Sequence, residues 1–273
     1  MKLQDKMIGK HPSDGLFFDW VECQDTECTD IKRHRYLLEK GEKRQEAIET
    51  VARWLITYHL SKGKRMALRK KQKILDKYDF EEYAKSLHVF PNADKTKKGN
   101  LGEVILTEYL SQVSGIRVLI FKLHYNPNVD QSMKGDDVLL IDERKILLGE
   151  SKFRSTPSKE AVEEASNLMK STLALPMSLG FIADRLFEQD QVDLADEILD
   201  IQYTLSKTNL DIKNIGFLLS TKLVKGHVER NMNSDNKDFL FISLGINNPV
   251  EFMELAFKRA KELLIEVVAV DES

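Results

Sequence analysis

Residues 135–153 read GDDVLLIDERKILLGESKF, and the fold turns on how they are parsed. Asp137 to Ile141 is short and apolar, which predicts a strand. Asp142-Glu143-Arg144 is a tight polar turn, and Lys145 to Phe153 predicts the strand that returns. Side chains alternate along a strand, so Glu150 and Lys152 project from one face. Counting outward from the turn sets Asp137 beside Glu150, within about 5 Å if the two are directly opposed. Two carboxylates and an amine then gather in an otherwise apolar sheet, where isolated charge is costly.

A divalent cation gives such a group a reason to exist. Hard carboxylate oxygens suit Mg²⁺ or Mn²⁺, which also accept phosphate oxygens. The cation would polarise a scissile phosphate and lower the pKa of a bound water. Lys152 would position that water or neutralise developing charge. The bland alternative is a strand end with Glu150 and Lys152 facing solvent. For an isolated E-x-K that reading wins. The aspartate opening the neighbouring apolar strand, with the helices around it, favours chemistry.

Working outward, residues 1–40 read as polar and irregular, with an aromatic patch at Phe17, Phe18 and Trp20. Three- and four-residue apolar steps predict a helix over Lys43–Leu60, and a second is expected over Ile74–Leu87. Between them Lys62–Lys73, KGKRMALRKKQK, carries seven basic residues and no acid. It suits a phosphate-contacting face, a solvated helix or loop, or a surface that meets an acidic partner. Pro91–Lys98 reads as a basic linker. Asn100–Val113 predicts a helix, Ile116–Leu123 a strand, and Pro157 opens a helix to about Leu173 with Thr156 as cap. Residues 176–212 read as a helical, acidic insertion. Ile215–Ser220 and Phe239–Leu244 predict strands, and Asn248 and Pro249 cap a last helix. The expectation is an α/β chain: a mainly helical region over 1–94, then a mixed sheet with helices on both faces over 95–273.

Composition excludes several classes. With 42% hydrophobic and 31% charged residues, the chain reads as an ordinary globular protein. Net charge is -3, which still permits a local basic groove. Cys23 and Cys28 lack the spacing of a zinc site and read as reduced thiols. No stretch approaches a membrane span or a signal peptide, so a soluble, cytoplasmic protein is expected. Gly99 and Gly102 make no Walker sequence. His124 and His227 are isolated. Lys95, Lys97 and Lys98, just ahead of the Asn100 helix, and Arg154, just after Lys152, are candidate DNA phosphate contacts.

The run GDDVLLI, a turn, then ILLGESKF resembles the PD-(D/E)xK nuclease superfamily, which includes restriction enzymes and Holliday-junction resolvases. The likeness spans about Lys98 to Leu223. It implies a restriction-endonuclease-like core in which Asp137 is the metal-binding aspartate, Glu150 the acid and Lys152 the lysine. No Pro precedes the aspartate, and Asp136 competes for its role; Asp137 is preferred because it abuts the apolar strand. Many members carry a glutamate on the preceding helix, and Glu103 in KKGNLGEVILTEYL would complete the metal shell. Asn100 and Glu103 also have the spacing of a capping box, so both readings stand.

A narrower resemblance takes in the basic helical N-terminal region, KGNLGEVILTEYL, KGDDVLLI and GESKFRS together. That arrangement is similar to the HamA family, nuclease subunits of the Hachiman antiphage defence system. The resemblance implies a DNA-degrading effector partnered by a superfamily 2 helicase, HamB, and held in check until infection. The alternatives are a stand-alone restriction-type or junction-cleaving endonuclease, and a catalytically inactive DNA-binding subunit.

Overall fold

The apolar runs at Val138–Asp142 and Lys145–Phe153 sit at one side of a single six-stranded sheet. The computed structural model describes residues 1–75, 88–131, 137–142, 145–167, 178–204 and 211–269. Its strands are β1 (Val21–Asp25), β2 (His34–Glu39), β3 (Val138–Asp142), β4 (Lys145–Phe153), β5 (Asp211–Thr221) and β6 (Phe239–Ile246). They lie in the order β1-β2-β6-β5-β4-β3. The central four strands are parallel, and β1 and β3 run antiparallel at the edges. All eight residues of β6 are buried, as expected of a central strand covered on both faces.

The described helices are α1 (Leu3–Ile8), α2 (Leu16–Trp20), α3 (Arg44–His59), α4 (Lys62–Leu75), α5 (Asp94–Ser114), α6 (Lys159–Asn167), α7 (Ser178–Phe187), α8 (Val192–Thr204), α9 (Val224–Asn231) and α10 (Pro249–Ala269). Alternation along the strands divides the core in two. Leu147, Phe153, Phe217 and Leu219 face a core supplied by α1 to α5 and α10. Ile146, Leu148, Leu218 and Phe241 face a second core supplied by α6 to α9. Trp20 stacks on Phe252 with ring centroids 5.1 Å apart, pinning α2 to α10. Helices thus cover a mixed sheet on both faces, as the sequence leads one to expect.

Several local expectations are corrected. Residues 1–40 are not irregular: they supply β1 and β2, so the sheet is continuous across the boundary expected at 94–95. Ile116–Leu123 is not a strand. It is irregular and ends in a 3₁₀ turn over Lys122–Tyr125. Its apolar side chains split between the two cores, Ile116 and Phe121 to one, Leu119 and Ile120 to the other. A segment crossing the edge of the sheet beside β3 buries both sides without joining the ladder. Helix α5 begins at Asp94, inside the expected linker and ahead of Asn100. Ser158, rather than Thr156, caps α6, its Oγ accepting the Ala161 N–H at 3.2 Å. The last helix is capped as expected, with Glu251 N–H donating to Asn248 Oδ1 at 3.3 Å. The helix expected over 74–87 falls almost wholly outside the described residues. Cys23 and Cys28 are free. No described helix is long and apolar enough to cross a membrane.

Candidate active site

The hairpin register decides whether the acidic and basic groups meet. Val138 pairs with Gly149, so the next step outward opposes Asp137 to Glu150. Leu139 and Ile141 face the second core, as do Ile146 and Leu148. Asp137, Glu150 and Lys152 continue those two series and share that face. Glu150 is 8% exposed and ion-pairs with Lys152. Asp137 Oδ2 accepts the Ser151 backbone N–H at 2.9 Å, which fixes it against the end of β4.

Glu103 arrives from α5. Gly102 lets that helix lie close on β4: a Cβ there would stand 2.3 Å from Ser151 Oγ. With Asp94 as the first residue of α5, Glu103 lies well inside the helix, and the capping-box reading falls. The residue is 8% exposed, and its carboxylate sits 3.4 Å from Lys122 Nζ. Burial first, then the neighbouring Asp137 and Glu150 charges, push the Glu103 carboxyl up to about 7 against the pull of Lys122. Burial and Asp137 also raise Glu150, opposed by Lys152. Glu103 and Glu150 therefore each sense other acidic groups of the cluster, in a place where burial already disfavours their charge.

An open groove of about 630 Å³ adjoins this cluster, lined by Lys95, Lys98, Asp137, Ser151, Lys152 and Arg154. A smaller pocket of about 40 Å³ lies on the other side of Asp137, where Glu103 and Lys122 line it. Lys98 Nζ lies 6.0 Å from the centre of the Phe153 ring, and Arg154 pairs with Glu164 at the groove. Oxygen donors on three separate elements suit a hard divalent cation in kind. As placed, each donor is engaged by a partner on the chain. Among the described residues no three acidic, imidazole or thiol groups enclose a cation site.

Comparison with known proteins is direct. The HamA family model matches residues 15–260. Over 266 residues the chain is 61% identical to the Hachiman protein HamA of Bacillus cereus, covering 97% of this chain and 98% of that protein. The chain belongs to the HamA family.

Within this HamA-family chain the expected site residues divide. Asp137, Glu150, Lys152 and Glu103 come together, and Lys95, Lys98 and Arg154 line the adjoining groove. Lys97 does not join them. Helical spacing turns it toward α10, where Nζ pairs with Glu254 Oε2 at 3.2 Å and with Asp94 at 3.5 Å. Asp136, the competitor of Asp137, lies outside the described residues. Sequence reasoning missed Lys122 entirely. It was absorbed into the expected strand 116–123, and its only signal was one lysine interrupting the apolar run IRVLIFKL.

Proposed function

We propose that this chain is a metal-dependent DNA nuclease, the effector of a Hachiman antiphage defence complex regulated by the helicase HamB. Family membership supports the defence role. The observation that supports the chemistry is the hairpin register, which opposes Asp137 to Glu150 and leaves Lys152 on the same face at the edge of the groove.

In this reading Asp137, Glu150 and Glu103 would hold Mg²⁺ or Mn²⁺. When bound, such a cation supplies Lewis-acid charge stabilisation at the scissile phosphate. The chain supplies the rest. Lys95, Lys98 and Arg154 bind the phosphates on either side and fix the register of the strand in the groove. Lys152, held by Glu150, places an ammonium where negative charge grows as water attacks phosphorus and the P–O ester bond breaks. Burial of Glu150 and Glu103 keeps bulk water from screening these charges.

Purified protein free of any partner should nick or cut plasmid DNA with Mg²⁺ or Mn²⁺ and stop with EDTA. Glu150→Gln and Lys152→Ala should each abolish cutting while the chain stays folded by circular dichroism. Cutting at parental rates by both variants would sink the assignment. A second reading is favoured by one observation, the engagement of every carboxylate by a group on the chain. On that reading the protein is a DNA-binding subunit without catalysis. It predicts no heat of Mg²⁺ or Mn²⁺ binding in calorimetry. Discrete fragments, or a preference for four-way junctions, would instead indicate a stand-alone restriction-type or junction-cleaving enzyme.

A further inference from the structure

The basic run at residues 62–73 forms most of α4, a helix that supplies no residue to the candidate site. Seven Lys and Arg with no acid is a strong local excess in a chain of net charge -3. Leu68, 8% exposed, seats α4 on the core, while Lys62, Lys64, Lys70 and Lys71 are exposed. Lys62, Met66 and Lys70 stand four residues apart in turn and so share one helix face. Met66 is 49% exposed between the two lysines.

The position of α4 matters as much as its charge. Lys64 Nζ donates to the backbone carbonyl of His124 at 3.5 Å. His124 belongs to the same 3₁₀ turn as Lys122, whose Nζ lies 3.4 Å from Glu103. Positive charge therefore runs from α4 through this turn to the carboxylate cluster. Beyond the cluster it resumes in the groove with Lys95, Lys98 and Arg154. We propose that α4 is a phosphate-binding track that holds the DNA strand on the side of the carboxylate cluster opposite the groove.

Fourteen helical residues span about 21 Å. At a rise of about 3.4 Å per phosphate of one B-form strand, that is about six phosphates. The track ends at a cluster suited to phosphodiester chemistry, which favours a nucleic-acid backbone over an acidic protein surface as its occupant. The identity of the polyanion rests on the nuclease reading; binding itself does not require cleavage.

The test therefore measures binding by the full chain in EDTA. A labelled single strand and a labelled duplex, each long enough to reach past α4, are titrated across a series of salt concentrations. The variant replaces Lys62, Lys64 and Lys70 by Gln, and a control replaces the same three by Arg. For the Gln variant we expect affinity about tenfold or more weaker at low salt and a log–log salt slope shallower by about 2 to 3, near 0.9 for each lost phosphate contact on duplex. The Arg control should bind like the parent. Unchanged affinity and slope in the Gln variant would overturn the proposal and leave the helix to an acidic protein surface. Equal loss in the Arg control would overturn it too, since the charge would then not be the cause. A selective loss in the Gln variant supports the track even if no form of the protein cuts DNA, in which case only the nuclease reading fails.

Discussion

Both edges of the sheet bury charge, and they do so in opposite ways. Beside β1, Arg35 is fully buried, and its guanidinium fork is matched donor by donor. Its Nε and Nη2 meet the two Asp25 oxygens at 2.7 and 3.2 Å, Nη2 also meets Asp5 at 2.7 Å, and Nη1 meets the Gly9 carbonyl at 3.0 Å. Burial opposes the charge there, but the Asp25 hydrogen bonds outweigh it and hold Arg35 charged above its ordinary range. Beside β3, Glu103 and Glu150 meet Lys122 and Lys152 among the described residues, with Asp137 adding negative charge, and the two buried glutamates are pushed up rather than held down. The first arrangement ties α1, β1 and β2 together. The second carries a strain of the kind that a bound cation would relieve, as functional clusters do.

Substitution at the two edges should separate these roles. Glu150→Gln should take cleavage below detection, a loss of at least the ~10²–10³-fold typical of one lost preorganised electrostatic contact. Its melting temperature should be unchanged or higher, because a disfavoured buried charge is gone. Arg35→Met should do the reverse. Breaking a buried ion pair from one side costs about 3–5 kcal/mol, read as a shift in denaturant midpoint. Equal losses of stability in the two variants would erase the distinction.

A smaller effect follows from the Glu103 carboxyl, raised from its ordinary 4.5 to about 7. An acid raised in the folded state binds its proton more tightly there than when unfolded. Its contribution is fully present below the unfolded value and is lost as pH rises through about 7. Metal-free protein should therefore lose on the order of 1–3 kcal/mol between pH 4.5 and 8 from this group. Glu103→Gln, melted across that range, should lack this component of the pH slope. Lys122→Met removes the charge that pulls the carboxyl down, so its window should move to higher pH, and Lys122→Arg should restore it. Identical slopes for parent and Glu103→Gln would detach Glu103 from the cluster.

The contrast between the edges was only half legible in the sequence. Strand periodicity and one tight turn placed Asp137, Glu150 and Lys152 on a common face, because a hairpin register is a local count. The β1–β2 edge left no such trace. VECQD and HRYLLE are rich in polar residues, and the burial of His34 and Arg35 depends on partners far along the chain. The start of α5 was hidden for a related reason. DKTKKG offers no apolar periodicity, so the helix could be read only from Asn100 onward, and that error kept the capping-box reading of Glu103 alive. Lys122 shows the same limit: it reaches Glu103 because the segment before it crosses the sheet edge, a path that no spacing encodes.

The smallest expected effect tests what brings α5 to the cluster. Gly102→Ala adds a Cβ 2.3 Å from Ser151 Oγ, a contact that neither side can keep. Alanine favours the helix by about 1 kcal/mol, while overpacking costs about 1–3 kcal/mol. The net loss of stability should be about 1 kcal/mol, measured by denaturant titration. The consequence for cutting should be larger than that figure suggests, about tenfold, because a displaced α5 carries Glu103 away from Asp137 and Glu150. Ser151→Ala offers the rescue. It deletes the obstructing oxygen, which is buried without a hydrogen-bond partner among the described residues, and leaves the Ser151 Cβ at 3.6 Å and the backbone N–H to Asp137 in place. If the double variant recovers stability and cutting together, the close helix–strand approach is what assembles the cluster. Recovery of stability alone would mean that Glu103 reaches its place without it.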